Sequence, residues 1–145
     1  MKPEVDQILN TCAMQLIGAI APLLPASYSQ SSASLLGFMM MFCAQEYDRA
    51  ADIRAAENAD MRALFADIAG AVNDAALRTK LEAAAKAEDA SLKISALDAA
   101  NHGLRKLLIE AQTHIETLGA RDAEKKIWSV LRAAADRRVL KMPGS

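Results

Sequence analysis

The first third of the chain is apolar with few interruptions, and the remainder alternates apolar and charged positions at helical spacing. Val5, Ile8, Cys12, Leu16 and Ala19 recur every three or four residues. That spacing predicts a helix from about Pro3 to Leu24, with Pro3 suited to its first turn and Pro22 and Pro25 placed to stop it. The polar run from Ser27 to Ser32 predicts a loop, after which Ser31 or Ser32 caps a second helix. Its opening, Leu35 to Cys43, is apolar all round and therefore requires cover on every side. From Gln45 onward the helix turns amphipathic. Tyr47 and Ala50 continue a seam that Arg54 and Glu57 interrupt, and Met61, Leu64 and Ile68 resume it. It runs either unbroken to about Val72 or in two pieces, with Asn58 or Asp60 capping the second.

Asn73 and Asp74 mark a turn or cap, and the stretch from Ala75 to Leu118 then holds no Pro and a single Gly, at position 103. Ile94, Asn101, Leu108 and Ile115 repeat every seven residues, as do Leu97, Leu104, Ala111 and Leu118, so the two sets form the a and d positions of a heptad seam. The register extends back through Ala90 and Ala87, and a helix over residues 87–118 would be about 48 Å long at 1.5 Å per residue. Gly119 is a natural C-cap and Asp122 a natural N-cap. Ile127, Trp128, Leu131, Ala134 and Ala135 put an apolar face on a last helix ending near Val139. Short connections between helices favour antiparallel neighbours. The pattern therefore predicts an all-α, up-and-down bundle of four to five helices, one of them long and heptad-patterned, in a single domain over residues 1–145.

Composition agrees: 31 alanines against six Gly, four Pro and six aromatic residues favour helix over strand. A formal charge of −1 argues against a general nucleic-acid binder, which needs an excess of Lys and Arg. Only Lys2, Glu4 and Asp6 are charged within the first 45 residues. The apolar runs Cys12 to Leu24 and Leu35 to Ala44 fall short of the ~20 residues that span a bilayer, so no membrane span is expected. Glu4 and Asp6 spoil a basic leader, and Cys12 and Cys43 lie on apolar helical patterns, where they read as buried, reduced and inert. A cytoplasmic protein is the expectation.

Few residues suggest chemistry. Glu110 and His114, like Asp98 and His102, are four apart on one helical face, and either pair could supply two ligands to a metal. Asp48 and Asp52 could add carboxylates, although a di-iron bundle expects Glu-x-x-His and Glu110-Ala-Gln-Thr-His114 has one residue too many. There is no serine or cysteine triad spacing, no Gly-rich phosphate loop and no zinc-spaced Cys pair. The Met39–Met41 run suits either core or an adaptable peptide groove. Arg132, Arg137, Arg138 and Lys141 either complement a helix C-terminus or face an acidic protein partner or a membrane surface. Asn101, an amide in the seam, either bonds within its own bundle or sets the register of self-association.

Two resemblances follow from these residues. His102-Gly103-Leu104-Arg105 is similar to the His-x-Leu-Arg start of the phosphoacceptor helix in histidine kinases and phosphotransfer domains, which would imply phosphoryl transfer through His102. Leu97, Asn101, Gly103, Leu104, Leu107 and Leu108, within about residues 83–118, resemble the Asn-bearing long helix of FlgN-type flagellar export chaperones. Those are small helical proteins that hold amphipathic segments of flagellar junction subunits before export. The expected function is a non-enzymatic helical protein-binding module without a cofactor. It would self-associate as a homodimer, or hold a helical segment of another protein, through Ile94, Leu97, Asn101, Leu104, Leu108 and Ile115. On that reading Asn101→Leu raises thermal stability and blurs the oligomeric state. The rival is a metal-binding bundle using Glu110 and His114.

Overall fold

The computed structural model describes residues 4–141, and over them the protein is an all-α helical bundle with five α-helices and no strand. These are α1 (Val5–Gln15), α2 (Tyr28–Ile68), α3 (Ala75–Ala85), α4 (Ile94–Leu118) and α5 (Arg121–Arg137). Two compact units divide the chain: one takes residues up to Ala50 together with the chain from Leu140, the other Ala51–Val139. The continuous helix α2 contributes to both.

The predicted start of the first helix at Pro3 lies outside the described residues. Beyond α1 the chain stays helical, as a π-helical turn (Leu16–Ile20) and a 3-10 turn (Ala21–Leu23). Pro22 accounts for both, because it has no N–H for the carbonyl of Gly18 and its ring crowds that carbonyl, so the ladder widens upstream and Ala21 N–H bonds to Leu16 O instead. Leu24, directly before Pro25, is extended at φ −78 and ψ 147, which ends the helical run.

The predicted loop over Ser27–Ser32 is absent. Helix α2 begins at Tyr28, because the Ser27 carbonyl already accepts the N–H groups of Gln30 and Ser31. It also passes through Asn58 and Asp60 without a break. Neither side chain caps the backbone there: Asn58 turns into the protein to bond Asp89 and the Leu97 carbonyl, and Asp60 pairs with Arg137 at 2.5 Å.

The helical stretch expected from Ala75 to Leu118, with a single helix over 87–118, is two helices that break between Ala85 and Ile94. Asp74 caps α3, its Oδ1 accepting from Leu77 N–H at 2.9 Å, but α3 ends at Ala85 and α4 begins only at Ile94. The heptad extension through Ala87 and Ala90 rested on alanines, which fit any helical face. Between the helices Asp89 is drawn to α2 by Arg62 Nη2 (2.6 Å) and Asn58 Nδ2 (3.0 Å), and Ser91 Oγ accepts from Lys93 N–H. The seam is therefore 25 residues long, about 37 Å rather than 48 Å. Gly119 caps α4 as predicted, in the left-handed region at φ 65. Asp122 is not the N-cap of α5, because the two-residue link puts Arg121 in the first helical position; Asp122 sits in the first turn, where its charge suits the helix dipole.

In the unit from Ala51 to Val139 the core is conventional: Phe65 and Ile68 of α2, Leu81 of α3, Leu108 and Ile115 of α4 and Ile127 of α5 are buried together. Trp128, expected beside Ile127 on the apolar face, is exposed. In the other unit the size order is inverted. The buried positions are Ala13 and Ala21 on one arm and Ala33, Gly37, Ala44 and Ala50 on the other. Many large apolar residues of the hairpin formed by residues 5–45, among them Met14, Leu23, Tyr28, Leu35 and Met39, are exposed, while Leu16, Ile17 and Phe42 are half-buried. Gln45 also holds the returning chain, its Nε2 donating to Lys141 O at 2.8 Å and its Oε1 accepting from Lys141 N–H at 3.1 Å.

Candidate functional site

Two features stand out against this frame, and the first is a polar junction inside the unit from Ala51 to Val139. Glu57 and Asn58 on α2 face Asn101 and Arg105, one turn apart on α4, and Arg138, which caps the C-terminus of α5. Only 1% of the Glu57 side chain is exposed. Its Oε1 accepts from Arg138 Nε at 2.5 Å, and its Oε2 accepts from Arg138 Nη2 (2.8 Å), Arg105 Nη2 (3.0 Å) and Asn101 Nδ2 (3.2 Å). Asn101 Nδ2 also donates to Asn58 Oδ1 at 3.0 Å, and Asn101 Oδ1 accepts from Arg105 Nε at 2.7 Å. A bidentate Arg–carboxylate pair supported by further donors is among the strongest polar arrangements a protein makes.

Burial by itself would push the Glu57 carboxyl up, but hydrogen bonds from Arg138 and Arg105, the Arg138 charge and the Asn101 amide outweigh it and hold the group at about 2. A carboxylate that acidic and so fully engaged is a poor general base at neutral pH, and its hydrogen bonds tie α2, α4 and α5 together. Stability should follow. The folded-state value lies below the ordinary 4.5, so the contribution is complete above that value and is lost as pH falls toward about 2. Urea unfolding across a pH series is expected to be flat above pH ~5 and to lose roughly 3 kcal/mol below it. The slope should shrink in Glu57→Gln. Asp89, lowered chiefly by its hydrogen bond from Arg62, adds a loss of the same sign.

The predicted contact residues mostly fall inside this unit. Leu97, Asn101, Leu104, Leu108 and Ile115 are buried in their own chain, and Ile94, at the start of α4, is 40% exposed. The heptad seam is thus spent within the molecule, against α2 and its neighbours, and five of its six residues offer no surface to a partner. Asn101 bonds within its own bundle, to Glu57 and Asn58 of α2. Glu57 was visible in the sequence as a charge interrupting an apolar seam, and Asn101 as an amide interrupting another; one interruption answers the other. Arg138 carried no such signal. The C-terminal basic group is partly engaged, with Arg137 on Asp60 and Arg138 on Glu57.

The metal candidates do not converge. Glu110 Oε2 accepts from Lys80 Nζ at 3.0 Å, His114 is half-buried on the same helix, and Asp98 pairs with Arg54 at 2.6 Å, leaving His102 exposed beside it. Among the described residues no three His, Cys, Asp or Glu side chains gather as a metal site would require.

The second feature is the outer surface of the hairpin. Leu35 and Met39, predicted to be covered, are 60% and 53% exposed, and Leu23 and Tyr28 near the turn 84% and 88%. Cys12 and Cys43, expected to be buried, are exposed free thiols. The fully buried positions between the arms are alanine and glycine, with Gly37 leaving room for Ile17, so Leu35, Met39, Leu23 and Tyr28 stay on the outside. Among the described residues no helix is long and apolar enough to cross a membrane.

Fold and site together define a helical bundle with an internal polar junction and an apolar hairpin. No family model, curated protein or solved structure matches the chain.

Proposed function

We propose that the protein works by non-covalent association, as a helical protein-binding module, and that its contact surface is the N-terminal hairpin rather than the α4 seam. One observation carries this: large apolar side chains such as Leu23, Tyr28, Leu35 and Met39 are exposed on a hairpin whose fully buried positions are alanine and glycine. Contiguous exposed apolar surface beyond a few hundred Å2 is unusual on proteins that act alone and marks places where something binds. The Glu57 junction supports the reading from the other side, since its groups are engaged in holding helices together.

The test compares the tagged wild-type chain with a variant carrying Leu23→Lys and Tyr28→Lys, both purified from the native host at low and moderate salt, with quantitative mass spectrometry of what co-purifies. A stoichiometric protein, another chain or an untagged copy of this one, is expected with the wild type and lost from the variant. Identical recovery from both would overturn the hairpin assignment. Flagellar subunits among the lost proteins would supply the client class that the α4 resemblance implies.

A further inference from the structure

The charge along the hairpin narrows the partner. Residues 7–45 contain no Asp, Glu, Lys or Arg, although they include outward-facing Gln7, Asn10, Thr11 and Gln15 beside the large apolar side chains. A symmetric dimer places one patch against its own copy, so any charge near the axis meets its like. A patch with none is self-complementary in charge without further arrangement. A different partner would be selected by complementary charge, and this surface supplies nothing to select with.

Area points the same way. Ten large apolar side chains between Val5 and Met39 are 37–88% exposed, a stock of surface on the scale of the ~800 Å2 that each partner buries in a stable complex. The hairpin interior adds the need. Ala13, Ala21, Ala33, Gly37 and Ala44 bury little apolar area, and a two-helix unit resting on them gains little against the entropy of ordering its residues. Lipid fits less well: the exposed amides suit a protein interface better than hydrocarbon. The flanking charges, Lys2, Glu4, Asp6, Glu46, Asp48 and Arg49, hold four acids to two bases, the wrong sign for an anionic headgroup layer.

We infer that the hairpin of residues 5–45 pairs with the hairpin of a second copy of this chain, the two forming an intermolecular four-helix bundle through Met14, Ile20, Leu23, Tyr28, Leu35 and Met39. This rests on the reading that the hairpin is the protein's contact surface, and it specifies the occupant.

Sedimentation equilibrium of the full chain, reduced and without detergent, should give twice the chain mass of 15.5 kDa at micromolar concentration. Leu35→Lys with Met39→Lys places two cations on one helical face, and symmetry brings four into one interface. The dissociation constant should rise at least ~100-fold, since each 1.4 kcal/mol of repulsion and desolvation is a factor of ten. Both sites are exposed in the single chain, so neither lysine disturbs packing within it, and hydrogen-exchange protection around Phe65 and Ile115 should stay at the wild-type level. A short bismaleimide should also join Cys12 or Cys43 between wild-type chains and fail to do so in the variant. A wild-type chain that stays monomeric at tens of micromolar overturns the inference. If that monomer still captures another protein that the variant loses, the association reading survives and only the second copy falls. If instead it floats with phosphatidylcholine or mixed phosphatidylcholine–phosphatidylglycerol vesicles and captures nothing, both fall.

Discussion

Glu57→Ala should lower the unfolding free energy by about 3 kcal/mol, the low end of the range for removing one partner of a buried ion pair. The low end applies because the guanidinium groups left behind, on Arg105 and Arg138, are 40% and 46% exposed and can turn to water. Asn101 cannot, being buried, and it loses its Glu57 acceptor with nothing to replace it. Asn101→Leu should also destabilise, by about 2 kcal/mol, since it leaves Asn58 Oδ1 without its donor and takes an acceptor from Arg105. This reverses the expectation drawn from the heptad pattern, in which leucine at an a position stabilises. Urea unfolding of both variants at neutral pH decides it. A more stable Asn101→Leu would mean that the junction contributes nothing net and that the seam behaves as an ordinary apolar one.

The other large effect is expected at Gly37. A methyl group there would lie 2.4 Å from Cγ1 and 2.8 Å from Cδ1 of Ile17, and 3.2 Å from the carbonyl oxygen of Ala13. In an exposed helix interior Gly→Ala would gain up to about 1 kcal/mol of helix propensity. Overpacking of this kind typically loses 1–3 kcal/mol, so Gly37→Ala should loosen the hairpin on balance by about 1–2 kcal/mol. Hydrogen exchange locates the effect: amides of residues 5–45 should lose protection while those around Phe65 and Ile115 keep theirs. Ile17→Ala in the same chain should restore part of it, because it removes the side chain that the new methyl meets. The Ala13 carbonyl remains, so the rescue is incomplete. Unchanged protection in Gly37→Ala would mean that the two arms are not held at this distance.

The fold class was legible because helix signals depend on spacing, and spacing survives without knowledge of neighbours. Leu97, Leu104, Leu108 and Ile115 are buried as their heptad positions require, and Gly119 takes the left-handed cap its place after Leu118 suggested. Alanine-rich stretches were less legible. Ala87 and Ala90 fit a helical face as readily as any, so the pattern ran through a break that is fixed by Asp89, a residue whose partners Arg62 and Asn58 lie 27 and 31 positions earlier. What the seam packs against was hidden for a similar reason: an amide at an a position announces that it needs a partner and does not say whose. The hairpin misled most. A run such as Leu35–Cys43 states that its side chains prefer an apolar surrounding, and whether that surrounding belongs to the same chain depends on how closely the facing helix approaches. Here the space facing Gly37 is taken by Ile17, and Leu35 and Met39 stay on the outside.

The sequence separations within the polar junction impose an order on assembly. Glu57 meets Arg105 48 residues downstream and Arg138 81 residues downstream. Contacts that close long loops are slow to form and come after local ones. A chain emerging from the ribosome presents its hairpin first, then a Glu57 carboxylate that waits for its first cation until α4 is out and for its second until α5 is complete. Through that interval the Glu57 carboxylate stays hydrated, and its site on α2 closes only once Arg105 and Arg138 have both arrived.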